Sequence, residues 1–182
     1  MNKMKKILAV GLASVLAVSF AACSNGGDAA DDTTTTTGAA AAASAKTGYS
    51  VISSIAYVED TTLTIDSVCA AVLVDADGKI IDVKIDEAQT KPDLATDDGN
   101  VADLRTKLEK KEDYGMKGVS PIGAEWYEQA ASFEKFAIGK TAAEITAAVG
   151  EDGYASDADL KAGCTIIVSS IAQTVADAAT VA

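Results

Sequence analysis

The sequence of 182 residues contains no histidine, and this absence removes several classes of catalytic site. A Ser-His-Asp or Cys-His hydrolase needs an imidazole, and so do the usual histidine-based zinc and iron centres. Cysteine is scarce as well, and Cys69 and Cys164 lie far apart in the chain. Their separation gives neither metal-ligand spacing nor a CxxC redox pair. The sequence leaves open whether the two form a disulfide or stay as separate buried thiols.

Positive charge is also in short supply. The chain has 15 lysines and arginines against 27 aspartates and glutamates, a formal net charge of −12. The residues before Cys23 include three lysines and no acid, so the remainder has 12 basic residues and a net charge of −15. Such a chain is not expected to bind nucleic acid, which requires a basic face, or to adhere electrostatically to anionic lipid.

The N-terminus has the pattern of a secretory signal peptide over residues 1–22. Three lysines precede an apolar run of 14 residues from Ile7 to Phe20, and two alanines then lead into Cys23. The run is shorter than the roughly 20 residues of a membrane-spanning helix, which favours a cleaved signal. The Ala-Ala-Cys end resembles the lipobox of bacterial lipoproteins, which implies a diacylated Cys23. We therefore expect an extracytoplasmic protein on a cell-membrane lipid anchor, since two acyl chains hold stably.

Residues 23–46 comprise this cysteine and a low-complexity segment of Ala, Thr, Gly, Ser and Asp. Such a composition buries too little apolar surface to offset the entropy lost on ordering, and it predicts a flexible tether. Its mean span by coil scaling is ~25–30 Å. The remaining 47–182 has the size of one domain with one core.

The first half of this domain reads as β-structure. Large residues alternate with smaller ones from Tyr49 to Tyr57, and β-branched residues are frequent from Thr62 to Val74. An Asp77-Gly78 pair then predicts a hairpin turn before a third strand. In that strand Ile81, Val83 and Ile85 are predicted to face the core, while Asp82, Lys84 and Asp86 face water.

The second half reads mainly as helical. We predict helices over Val101–Lys111, over Ala124–Ile138 with Gly139 at its C-terminal end, and from a Thr141/Glu144 capping box onward. Cys164–Val168 is predicted as a returning strand, followed by a helix from Ser170 to about Ala179. The expected fold class is α+β, an antiparallel sheet with helices packed on one side.

The segment with most chemical content is DLKAGCT, from Asp159 to Thr165. It resembles the flavinylation motif of the FMN-binding domain family: Asp, two variable residues, a small residue, Gly, Ala and Thr. Asp159, Ala162, Gly163 and Thr165 match this motif, and Cys164 stands where alanine is usual. Further segments resemble bacterial lipoproteins of the same family: Ala70–Ile85, Tyr114–Lys117, Trp126–Ala130, Phe133–Glu134 and Gly139–Thr141.

The resemblance implies a cofactor and partners. A separate flavin transferase would esterify FMN through its phosphate to the Thr165 hydroxyl, and an unidentified redox partner would exchange electrons with it. Gly163 and a small neighbour would let the phosphate and the enzyme approach the backbone. This hypothesis describes an electron-transfer module, more a carrier than an enzyme with its own substrate. The alternative is a non-redox surface lipoprotein that binds a small ligand or a partner protein with the same fold.

Other candidate residues have less specific patterns. Four aromatic residues could cover a flavin ring, although their helical spacing is more typical of a core: Trp126, Tyr127, Phe133 and Phe136. The Gly115–Gly118 loop with Lys117 could approach a phosphate, although a surface turn is the simpler interpretation. No EF-hand spacing accompanies Asp75 and Asp77, so no metal site is predicted.

Overall fold

Three long strands build the sheet that organises this molecule. The structure is a computed structural model, and it describes residues 45–58, 62–92 and 103–182. Strands β1 (Lys46–Val58), β2 (Thr62–Val74) and β3 (Ile80–Thr90) pair antiparallel in the order β1-β2-β3. The predicted signal peptide, Cys23 and most of the predicted tether lie outside the described residues.

The turn between β2 and β3 forms at the predicted Asp77-Gly78 pair. Gly78 adopts a φ of 75°, and its N–H donates to the Asp75 carbonyl at 3.1 Å. A positive φ is accessible to glycine at no steric cost, which explains the residue at this position. The turn therefore confirms the hairpin that the local sequence predicted.

The register next to that turn corrects one prediction. Leu73 pairs with Asp82, but Val74 pairs with Ile80, so Ile81 is the extra residue of a β-bulge. Ile80 is fully buried, whereas Ile81, which was expected to face the core, is 38% exposed. Val83 and Ile85 face inward as predicted, because the alternation is regular beyond the bulge.

Five helices follow the sheet in the described part of the chain: α1 (Lys107–Lys110), α2 (Trp126–Ala137), α3 (Ala142–Ala147), α4 (Ala158–Gly163) and α5 (Ser169–Val181). A 3-10 helix, Lys111–Tyr114, continues α1. Helix α5 packs on β1 and β2, and α2 packs on β3 and α4. The fold is thus α+β, with its helices against one face of an antiparallel sheet, as predicted.

Two helix boundaries differ from the prediction. The helix expected over Val101–Lys111 begins only at Lys107, where Thr106 and Glu109 form a capping box, and Leu104 before it is 76% exposed. Residues 101 and 102 lie outside the described ranges. The last helix starts at Ser169, with Val168 rather than Ser170 at its N-cap. The Thr141/Glu144 capping box of α3 is confirmed.

The returning strand predicted at Cys164–Val168 is wrong. Residues 158–163 form α4, and residues 164–168 connect it to α5 without strand pairing. Asp157 begins α4 by accepting hydrogen bonds from the N–H groups of Asp159 and Leu160 at 2.9 and 3.2 Å. β-Branched residues favour a strand only where a partner edge is available, and here the connector has none.

The core lies between the inner sheet face and the helices. Helix α2 contributes its predicted stripe of Trp126, Ala130, Phe133 and Ala137, each at most 2% exposed. At the other side of the core, a Cβ on Gly48 of β1 would lie 1.8 Å from the Ala178 carbonyl oxygen of α5. Glycine is therefore what lets α5 lie so close to the sheet. None of the helices in the described ranges is long and apolar enough to cross a membrane.

Candidate functional site

The residues of the DLKAGCT segment do not lie on one surface. Asp159, Ala162 and Gly163 belong to α4 and border a groove of about 510 Å³ between α4 and α2. Cys164 follows at the helix C-cap and is buried, and Thr165 lines a different pocket. The end of α4 therefore separates Asp159, Ala162 and Gly163, which border the groove, from Thr165, which lines the pocket.

Gly163 has a packing role that the sequence did not reveal. A Cβ built on it would lie 2.9 Å from the Cβ and 3.0 Å from the Oγ of Ser132 on α2. Real Cβ atoms essentially never show contacts below 3.0 Å, so another residue would force α2 and α4 apart. The room left by this glycine is taken up by Ser132.

Thr165 is held by one buried side chain. Its N–H donates to Oε1 of Gln129 at 2.8 Å, and its hydroxyl donates to the same oxygen at 3.2 Å. Gln129 lies on α2 and is completely buried. Its Nε2 group donates to the Ala124 carbonyl at 3.1 Å and to Ser120 Oγ at 3.2 Å. Thr165 is thereby connected through Gln129 to the loop that precedes α2.

The pocket beside Thr165 has a volume of about 370 Å³. This is at the lower end of the volumes usual for small-molecule sites, roughly 300–1,000 Å³. Residues of all three strands, of three helices and of the connector before α5 line it. They include Ile52, Asp66, Val68, Glu87, Gln89, Lys107, Met116, Trp126, Tyr154, Thr165 and Ile171. It thus combines apolar walls with a few converging polar groups.

A buried ion pair lies in this pocket. Lys107 Nζ is 2.6 Å from Glu87 Oε1, and both side chains are at most 10% exposed. The same ammonium lies 5.1 Å from the ring centroid of Tyr114 and 5.6 Å from that of Trp126. Contacts of this length are within the range of cation–π attraction. They offset part of the cost of removing the lysine charge from water.

Burial has the largest effect on the pKa of the Glu87 carboxyl. Desolvation raises the pKa of its carboxyl above the usual 4.5, the ion pair with Lys107 opposes this, and nearby Asp66 adds to the rise. Asp66 itself accepts a hydrogen bond from Gln89 Nε2 at 2.9 Å. The pocket therefore contains two carboxyl groups and one ammonium within a single polar cluster.

Cys69 and Cys164, the two cysteines within the described ranges, are unbonded thiols. Cys164 is 1% exposed, and burial raises the pKa of its thiol to about 11. Burial, together with Asp86, also raises the pKa of the Cys69 thiol. Both stay protonated at neutral pH and are poor nucleophiles. Within the described part of the chain no three His, Cys, Asp or Glu residues cluster as a metal site.

The aromatic candidates separate in the structure. Of the four, Trp126 lines the pocket, although only 2% of it is exposed. Phe133 is fully buried and meets Phe136 edge to face, with ring centroids 6.3 Å apart. Tyr127 donates its hydroxyl to Glu112 at 3.0 Å, away from the pocket. The core interpretation holds for Phe133, whereas Trp126 belongs to both core and pocket.

Two N–H groups of the Gly115–Gly118 loop donate to a neighbouring carboxyl group and are not free to bind a phosphate. The N–H groups of Met116 and Lys117 donate to the two oxygens of the Glu125 carboxylate, at 2.8 and 3.1 Å. Glu125 is buried, and these bonds provide hydrogen-bond partners for both of its carboxyl oxygens. The loop is a turn fixed from inside, and its Met116 side chain forms part of the pocket wall.

Sequence reasoning missed Glu87, Lys107 and Gln129. Two of the three left a signal. Glu87 follows Ile85 by two residues and so continues the inward face of β3, and Gln129 lies within the apolar stripe of α2. A polar residue at a core position is informative because it must be hydrogen-bonded or paired.

Fold and pocket together define a small α+β domain with a partly polar pocket that Thr165 helps to line. Among known proteins, the chain is 30% identical over 123 residues to chlorophenol reductase of Desulfitobacterium hafniense. This similarity covers 56% of the chain but only 38% of that protein's length. No protein-family model matches the chain, and no solved structure matches it significantly.

Proposed function

We propose that this protein is an extracytoplasmic electron-transfer module, anchored to the cell membrane through a lipid on Cys23 and carrying FMN esterified to Thr165. The observation that carries the proposal is the position of Thr165, which lines a pocket of about 370 Å³. The resemblance of Asp159–Thr165 to a flavinylation motif is the reason for proposing FMN as the cofactor. The similarity to a protein named chlorophenol reductase supports a redox role.

The residues around Thr165 fit a flavin. An isoalloxazine ring is a flat, largely apolar tricycle with hydrogen-bonding groups along one edge. Val68, Met116 and Trp126 provide apolar surface in the pocket, and Asp66, Gln89 and Lys107 provide donors and acceptors. Bound FMN would supply reversible electron transfer.

The pocket residues would hold the flavin and exclude water from it. Attachment forms a bond between Thr165 Oγ and phosphorus. It breaks a diphosphate P–O bond of a flavin dinucleotide donor, because the phosphate of FMN alone has no good leaving group. AMP leaves, and the hydroxyl proton passes to a base of the flavin transferase. A covalent link keeps the cofactor from diffusing away outside the cell.

Coexpression of the full chain with a flavin transferase tests the proposal. Intact-mass analysis should detect one added FMN, and a denaturing gel should show a fluorescent band. Thr165→Ala should lose both signals because it lacks the nucleophilic oxygen. Thr165→Ser, which keeps a hydroxyl, should still be labelled.

Thr146→Ala is the matched control, since Thr146 is an exposed threonine on α3 whose hydroxyl bonds only to its own helix. Labelling of this variant should equal that of the wild type. Unlabelled wild type, or label that persists in Thr165→Ala, would contradict the proposal. The first result would leave the non-redox binding protein as the better description.

A further inference from the structure

Gln129 is a buried polar residue that is hydrogen-bonded directly to Thr165. It is completely buried on α2, and its Oε1 accepts hydrogen bonds from both the N–H and the hydroxyl of Thr165. A buried amide in an apolar helix stripe costs free energy unless its polar atoms are paired. Here the pairing partners are the candidate attachment residue and the loop before α2.

The orientation of the amide follows from its partners. The N–H of Thr165 can only donate, and the carbonyl of Ala124 can only accept. A flipped amide would set donor against donor on one side and acceptor against acceptor on the other. Oε1 must therefore face Thr165, at 2.8 Å from its nitrogen, while Nε2 faces Ala124 at 3.1 Å.

We propose that Gln129 is a positioning residue for the covalent modification of Thr165, an inference that rests on the proposed function. The bond to the backbone N–H fixes the segment after α4, and the bond to the hydroxyl selects the side-chain rotamer. The hydroxyl hydrogen points at Oε1 until the base of the transferase accepts it, and the oxygen, already held in this rotamer, then attacks phosphorus. The amide does not act as the base, because its oxygen cannot take up the proton at neutral pH.

The two bonds have different fates in the reaction. Esterification removes the hydroxyl hydrogen, so the 3.2 Å bond to Gln129 is lost once the phosphoester forms. The 2.8 Å bond from the backbone N–H needs no such hydrogen and remains. Gln129 therefore aligns the hydroxyl before the reaction and retains the backbone afterwards.

The test compares Gln129→Met with Val175→Ala in the full chain. Methionine keeps the approximate volume of glutamine but cannot accept these bonds. Val175 is fully buried on α5 and does not line the pocket, so its truncation lowers stability without touching Thr165. The measurements are the initial rate of FMN incorporation by purified transferase with a flavin dinucleotide, and hydrogen exchange of the Thr165 amide.

Gln129→Met should slow incorporation about ten- to a hundredfold, the range expected when a reacting group is misplaced by a small distance. Its Thr165 amide should exchange faster. Val175→Ala should incorporate FMN at the wild-type rate. Should Gln129→Met fail to fold, Gln129→Asn serves instead, because its shorter side chain keeps an amide but withdraws the oxygen from Thr165.

Incorporation by the folded Gln129 variant within twofold of wild type would overturn the inference while leaving the proposed function intact. An equal loss in Val175→Ala would overturn it too, since general destabilisation would then explain the effect. Wild type that takes up no FMN would defeat the proposed function and the inference with it.

Discussion

The inner face of the sheet has two ends with opposite chemistry. The packed end is defined by five residues, all of them buried: Gly48, Val72, Val74, Ile80 and Val83. At the site end, defined by Ser54, Asp66, Glu87 and Gln89, the same three strands present polar side chains to the pocket. Strand pairing places Val72 opposite Val83 at one end and Asp66 opposite Gln89 at the other.

The backbone is the same at both ends, so the difference comes from the side chains and from what covers them. The C-terminal part of α5 covers the packed end, where Ala178 meets Gly48, and its N-terminal residues Ser170 and Ile171 only border the pocket. Apolar burial at the first end provides stability, which allows costly buried charges at the second. The predictions below separate these two contributions.

The largest expected effect is at the site end, in the ion pair of Lys107 and Glu87. Lys107→Met leaves a buried carboxyl without its partner and should lower the free energy of unfolding by about 3–5 kcal/mol. Adding Glu87→Leu removes the second charge and should restore most of that loss, because an apolar pair of similar volume is often neutral or stabilising. Urea unfolding of the wild type, both single variants and the double variant measures the effect.

A double variant as unstable as the single ones would show that the pair does not act as a unit. It would also contradict the contrast between the two ends, because the loss of stability at the site end would then not come from an unpaired buried charge.

At the packed end, Gly48→Ala should lower the free energy of unfolding by about 1–3 kcal/mol, the usual cost of overpacking. The added Cβ meets backbone, the Ala178 carbonyl, which cannot rotate away as a side chain would. Gly118→Ala is the matched control because nothing lies within 4 Å of a Cβ there. Thermal unfolding should place the control within about 0.5 kcal/mol of wild type, and equal melting of the two variants would contradict the close approach of α5.

The strands and the turn were predictable because their signals are local. Alternation has a period of two, and the Asp77-Gly78 turn is specified by adjacent residues. The bulge at Ile81 was not, since a register shift depends on how two strands pair. The start of α1 was readable from Thr106 and Glu109, whose separation of three residues is that of a capping box.

The site was only partly predictable. Thr165 came from a motif, and that line of reasoning depends on a resemblance to known proteins. Glu87 and Gln129 were readable as polar residues at core positions. Lys107 was not, because its burial depends on the packing of α1 against β3, a contact between distant segments. The role of Gly163 likewise depends on the approach of two helices.

A smaller effect is expected at Gly163, where it tests whether a motif residue belongs to packing or to modification. Gly163→Ala should lower the free energy of unfolding by about 1 kcal/mol, the low end of overpacking costs, since its clash is with the Ser132 side chain. Adding Ser132→Gly removes the atoms in contact. A double-mutant cycle by urea unfolding should give a coupling of about 0.5 kcal/mol or more. Zero coupling with impaired flavin attachment would assign the glycine to modification instead.

The smallest effect is the pH dependence that the site end gives to stability. Burial raises the pKa of Glu87 in the folded protein above its usual 4.5, so the folded state binds more protons than the unfolded state between these two values. Stability from this group is therefore full below about pH 4.5 and is lost as the pH rises through the folded pKa.

The apolar double variant, Lys107→Met with Glu87→Leu, isolates this contribution. Asp103, Glu112 and Glu144 have their pKa values lowered mainly by hydrogen bonds, and they make both proteins less stable in acid. That common part cancels when the two unfolding free energies are subtracted at each pH. The wild-type value should fall relative to the double variant as the pH rises from 4.5. If the unfolding free energy of the wild type stays constant or rises relative to that of the double variant, Lys107 fully offsets the cost of burying Glu87. The site end would then add no pH dependence to stability.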